Sequence, residues 1–91
     1  VREKEIEEYL RKRVKEHGGI AYKFESPGNA GVPDRIVVFP GGRIIFVELK
    51  APRKKPTKLQ LAQHRKLTNL GCTVLVIDSK EQVDEFIKCY G

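Results

Sequence analysis

Two runs of β-branched and aromatic residues, Arg35-Ile36-Val37-Val38-Phe39 and Arg43-Ile44-Ile45-Phe46-Val47, stand on either side of Pro40-Gly41-Gly42. Such runs joined by a short turn signal read as a β-hairpin. A three-residue loop, with a glycine supplying positive φ, sets Phe39 opposite Arg43. Counting outward, it sets Val38 opposite Ile44, Ile36 opposite Phe46 and Asp34 opposite Glu48. Directly opposed residues share a face of the sheet, with Cβ atoms about 4.5–5.5 Å apart. A two-residue Gly41-Gly42 loop would instead set Asp34 against Leu49 and turn Glu48 to the other face. Pro40 favours the longer loop, because it donates no ladder hydrogen bond. The hairpin thus brings two carboxylates together, and they repel unless a cation lies between them. Lys50 falls on the same side of the pleat. An acid near a Glu-x-Lys triplet is by itself a weak signal, since charged residues commonly decorate strand ends. Here, however, the strands are apolar on both faces, the pattern of central strands, and charge at their buried end needs a purpose.

The surrounding chain supplies the other layers. Residues from about Glu3 to His17 repeat apolar side chains at Ile6, Leu10 and Val14 and end at Gly18-Gly19, which predicts a helix. On a helical wheel Glu7 lies beside that stripe and Glu3 almost on it, whereas Glu5 and Glu8 point away. Ile20 to Phe24 alternates as a strand, and Ser26 to Pro33 has loop composition without a nucleotide-binding Gly-Lys-Ser/Thr ending. Thr57 caps a predicted helix from about Lys58 to Leu70, with Leu59, Ala62, Leu67 and Leu70 expected to face the core, Gln63 on that stripe, and Gln60 and His64 at its edge. Cys72 to Ile77 reads as a strand covered on both faces, and Ser79 caps a last helix through Val83, Phe86 and Ile87. The order α-β-β-β-α-β-α predicts a single α/β (α+β) domain over 1–91.

Charge and cysteines narrow the function classes. Eighteen basic against twelve acidic side chains give a formal charge of +6, and a small basic protein that gathers acids in one place suggests a polyanion handled by a metal. Four cations, Arg53, Lys54, Lys55 and Lys58, follow Lys50 within a short loop, suited to holding a phosphodiester backbone that the acids would repel. Cys72 and Cys89 fit neither a zinc spacing nor a disulfide framework and read as free thiols. No apolar run approaches a membrane span and no signal-peptide core follows the charged start, so the expectation is a soluble, cytoplasmic chain.

These residues resemble the PD-(D/E)XK nuclease superfamily and, within it, the virus-type replication-repair nuclease (VRR-NUC) domain. The resemblance runs through Glu3 to Leu10, Gly18-Gly19, Lys23 to Gly28, Gly31-Val32-Pro33-Asp34-Arg35, Phe46 to Pro52, and Pro56 through Gln60 to Gly71. It implies a restriction-endonuclease-like αβββαβ core with a C-terminal helix. The implied activity is a Mg²⁺- or Mn²⁺-dependent endonuclease cutting four-way junctions or flaps in phage or bacterial replication and repair, as a homodimer. By position, Asp34 and Glu48 are the implied metal-binding acids, with the Leu49 carbonyl beside them. Lys50 is the motif lysine, Gln60 the motif glutamine although the wheel alone prefers Gln63, and Glu7 the helix acid with Glu3 as alternative. Lys23, Ser26, Arg53, Lys54, Lys55 and Lys58 are the implied DNA contacts. The competing readings are a non-catalytic, structure-selective DNA-binding module and a nuclease subunit whose partner does the chemistry.

Overall fold

In the computed structural model, which describes residues 1–91, Gly41 and Gly42 take positive φ (90° and 77°), and the Gly42 N–H donates to the Phe39 carbonyl at 3.2 Å. The loop Pro40-Gly41-Gly42 joins β2 (Arg35–Phe39) to β3 (Arg43–Leu49) with Phe39 opposite Arg43, Val38 opposite Ile44 and Ile36 opposite Phe46. This is the longer-loop register, and continuing it by one residue places Asp34 across from Glu48.

The remaining elements are α1 (Glu3–Glu16), β1 (Ile20–Lys23), α2 (Lys58–Asn69), β4 (Thr73–Ile77) and α3 (Lys80–Tyr90). The sheet order is β1-β2-β3-β4, antiparallel except for the β3–β4 pair. A parallel pair needs a crossover, and α2 provides it. α1 and α3 pack together on one face of the sheet. Their residues Ile6, Leu10, Val14, Val83, Phe86 and Ile87 join Val37, Phe39, Ile45, Val47, Leu49 and Ile77 in one buried cluster. Both Thr57 and Ser79 cap their helices as the sequence predicts, Thr57 in a reciprocal capping box with Gln60. Cys72 and Cys89 are free thiols.

The opposite face differs from the expectation of strands covered on both sides. α2 reaches only its β3–β4 end, so Ile20, Tyr22 and Ile44 are each more than half exposed. The α2 leucines are likewise not core: Leu59 and Leu70 lie in solvent and Leu67 is half-buried, while the one buried residue of the helix is His64. A helix is about 10–12 Å across and strands lie about 4.8 Å apart, so the single crossover helix α2 covers only about two of the four strands. Its orientation is set by the polar contacts of Gln60 and His64 described below rather than by an apolar stripe.

The corner from α1 into β1 depends on Gly19, whose N–H closes the helix by donating to the Val14 carbonyl at 2.9 Å. A Cβ on Gly19 would lie 2.7 Å from the Val38 carbonyl oxygen and 2.9 Å from the Phe39 ring. Gly19→Ala should therefore force the helix off the sheet and cost about 1–3 kcal/mol, read as a lower urea midpoint. A midpoint equal to wild type would show that this close approach is not needed.

Candidate active site

The hairpin register brings Asp34 and Glu48 together at the end of β3. The Leu49 N–H donates to Asp34 Oδ2 at 2.8 Å, which fixes the Asp34 carboxylate across the hairpin. Glu48 is 1% exposed. Its Oε1 lies 3.1 Å from His64 Nε2 and its Oε2 accepts from Gln60 Nε2 at 3.4 Å. α2 is thus docked against the acid through residues one helical turn apart, and Gln60 does this while its Oε1 accepts from the Thr57 N–H at 2.9 Å.

Burial, followed by the adjoining Asp34 carboxyl, pushes the Glu48 carboxyl up to about 8, while Lys50 partly offsets the shift and Glu3 adds to it. Burial holds the His64 imidazole below its ordinary value. At neutral pH both groups are therefore mainly uncharged, and their contact is a neutral hydrogen bond rather than an ion pair. Glu48 stays protonated because it is buried, and the adjoining Asp34 carboxyl adds to the effect by more than Lys50 offsets.

α1 contributes two acids differently. Glu7 turns inward, as the wheel predicts, but its Oε1 lies 2.9 Å from Arg35 Nη2, and Arg35 Nη1 also donates to the Ala21 carbonyl at 3.2 Å. Arg35 is buried, so this pair ties α1 to the start of β2. The α1 acid that acts electrostatically on Glu48 is Glu3, in the first turn.

The cations after β3 form an open flank. Arg53, Lys54, Lys55 and Lys58 are exposed and none is in an ion pair. Arg53 has positive φ (66°), and its N–H donates to Asp78 Oδ2 at 3.3 Å. On the other side of the acids, Lys23 pairs with Glu25 at 3.2 Å and Ser26 Oγ accepts from Asn29 at 2.9 Å. Gln63 is half-buried and makes no side-chain hydrogen bond to the acids. His64 belongs to the site, although the wheel puts it only at the rim of the helix. Its position four residues after Gln60 is the available clue, because that spacing puts both side chains on one face.

No group of three or more His, Cys, Asp or Glu side chains is arranged to enclose a metal. The donors present nonetheless fit a hard divalent cation. Mg²⁺ and Mn²⁺ prefer oxygen, and Mg²⁺ is commonly held by one or two carboxylates with water and substrate phosphate completing the shell. The specific observation is that the two carboxyls adjoin at the end of β3, where a cation between them would offset the part of the Glu48 shift that Asp34 causes.

No family model matches the chain. A solved structure described as a VRR_NUC domain superposes with a TM-score of 0.91 at 36% sequence identity, covering 98% of this chain and 97% of that one. A protein of Acyrthosiphon pisum secondary endosymbiont phage 1, named "Putative nuclease p44", is 56% identical over 81 residues, 89% of this chain and 87% of the phage protein.

Glu48 makes the stability of the metal-free protein pH-dependent. Its folded value of about 8 lies above its ordinary 4.5. The native state therefore holds a proton that the unfolded chain releases, so this contribution is full below about pH 4.5 and is lost as pH rises through about 8. The melting temperature of wild type relative to Glu48→Gln should fall across that interval. A difference that does not vary with pH would contradict the strained carboxyl.

Proposed function

The chain belongs to the VRR_NUC domain family, and we propose that it is a Mg²⁺- or Mn²⁺-dependent endonuclease that hydrolyses phosphodiester bonds in branched DNA. The observation that carries this reading is the pair of carboxyls at the end of β3, Asp34 held by the Leu49 N–H and Glu48 by Gln60 and His64. Its fold and the nuclease name of its phage relative support the hydrolytic class.

In this reading Asp34, Glu48 and the Leu49 carbonyl hold the cation, and Glu3 supplies the acid from α1. Glu7, neutralised by Arg35, holds the helix in place. A bound cation would lower the pKa of a water and neutralise charge growing on the phosphate. The Leu49 N–H keeps Asp34 oriented, and Gln60 and His64 keep Glu48 oriented, so the acids need little rearrangement. Lys50 places a positive charge beside them, where it orients the attacking water or stabilises charge on the phosphate. Arg53, Lys54, Lys55 and Lys58 grip backbone phosphates, with Lys23 and Ser26 on the other side. These are contacts suited to DNA shape rather than base sequence.

The active form in this reading is a homodimer, because one domain carries one site and two matched cuts at a four-way junction need two. The uncovered apolar side chains Ile20, Tyr22 and Ile44 support a second copy as the cover of that sheet face. No helix is long and apolar enough to cross a membrane.

Wild type should nick flap or four-way-junction DNA with Mg²⁺ or Mn²⁺ and not with EDTA, and Asp34→Asn should lower the rate by at least about a hundredfold. DNA binding without cutting under all these conditions would make the chain a binding module. Glu3→Gln should reduce cleavage and leave the melting temperature unchanged, whereas Glu7→Gln should cost about 1–3 kcal/mol by leaving Arg35 without its charged partner; the reverse pattern would return Glu7 to the metal. In sedimentation equilibrium at micromolar concentration, Ile44→Glu should convert dimer to monomer, and a wild type that is already monomeric with and without junction DNA would refute the dimer.

A further inference from the structure

A second basic feature lies at the other edge of the sheet from the loop that carries Arg53 to Lys58. That loop lies beside β4, since the Lys50 N–H donates to Ile77 and the Arg53 N–H to Asp78. At the β1 edge, a groove of about 410 Å³ is lined by Arg11, Lys12 and Lys15 of α1 and by the corner at Gly19, with Glu8 as its one acid. All three cations are exposed and none is ion-paired. The groove floor is fixed, because Gly19 is packed against Val38 and Phe39 too closely for any side chain.

The groove is connected to the acids along α1. At 100° per residue Lys4, Arg11 and Lys15 lie within about 20° of one line on the helix, with Lys12 to one side and the single acid Glu8 beside the line between Lys4 and Arg11. Lys4 stands next to Glu3, and Lys15 is about 16 Å farther along the axis at 1.5 Å per residue. A strand of DNA advances 3.4 Å per nucleotide, so this line spans about five nucleotides. A basic residue in the last turn of a helix also favours the helix dipole, which accounts for Lys15. It does not account for Lys4, Arg11 and Lys12, which lie outside that turn, or for their gathering on one side.

We propose that the α1–β1 groove receives the backbone of a second DNA arm leaving the cut site, so that the acids sit between two phosphate-binding flanks on opposite edges of the sheet. The proposal rests on the nuclease reading and gives it a source of structure selectivity. In linear duplex the backbone follows one direction and one flank suffices. In a flap or junction two backbones diverge from the branch, and both flanks are engaged.

The test is fluorescence anisotropy in EDTA over a range of salt, with a linear duplex, a flap and a four-way junction as probes. The proteins are wild type, the neutralised variant Arg11→Gln/Lys12→Gln/Lys15→Gln and the charge-retaining variant Arg11→Lys/Lys12→Arg/Lys15→Arg. The neutralised variant should lose roughly tenfold or more in affinity for branched DNA and at most about threefold for duplex. Its slope of log K against log salt on branched DNA should fall by about 0.9 for each phosphate that the groove no longer neutralises, and the charge-retaining variant should bind as wild type. Unchanged binding of branched DNA by the neutralised variant, or equal losses on duplex and branch, would overturn the second flank. Cleavage by wild type with Mn²⁺, run in parallel, separates this failure from that of the nuclease reading: a wild type that cuts while the neutralised variant binds normally overturns the groove alone, and a wild type that neither binds nor cuts any probe overturns both.

Discussion

The rest of the structure depends on the antiparallel register of β2 against β3. With three residues in the loop, opposed positions sum to the same total along the whole hairpin, from Phe39 and Arg43 to Arg35 and Val47. Asp34 and Glu48 are the next pair. A slip of one residue would turn Glu48 into the space occupied by Val47 and Leu49, where a carboxyl would meet the buried cluster of α1 and α3. The cost of that burial makes the register robust, so the placement of two acids follows from how apolar residues are distributed on the two strands.

Once the acids are opposed, neighbouring elements act to hold them. α2 buries few apolar groups, and its tie to the sheet is polar, through Gln60 and His64 to Glu48. α1 is tied through Glu7 to Arg35, the residue after Asp34, and this places Glu3 of the first helical turn where its charge is felt at Glu48. α2 therefore contacts the buried carboxyl directly, and α1 is held beside it through Arg35. The protein tolerates a site that raises the Glu48 value to about 8 because the opposing face holds a well-packed core of twelve residues. Local strain of this kind is characteristic of functional sites, where the surrounding structure over-determines an unfavourable arrangement.

What rests on local periodicity and turn chemistry is legible in the sequence. The hairpin, its register, the capping by Thr57 and Ser79, and the α1 stripe at Ile6, Leu10 and Val14 are all of this kind. Less legible is what depends on how far one element reaches over another. Apolar alternation in β2 and β3 suggests two covered faces, yet α2 is the only helix on that face and leaves Ile44 uncovered, and Leu59 and Leu70 project into solvent. The wheel turns Glu7 inward but does not reveal its partner, because alternation puts Arg35 on the face that Val37 and Phe39 share with α1 without saying which turn of the helix lies over it. His64 falls at the rim of its helix on a wheel, and its burial is created by a contact to Glu48, sixteen residues away in sequence.

The central claim is that Asp34 and Glu48 form a cation site whose proton is displaced on binding. Titration calorimetry of the metal-free protein with Mn²⁺ at pH 7, repeated in buffers of different ionisation enthalpy, measures both affinity and protons released. The account predicts one site, release of about 1 proton per Mn²⁺ at pH 7 and less above about pH 8, and loss of binding in Asp34→Asn. Binding that releases no proton, or binding unchanged in Asp34→Asn, would contradict it.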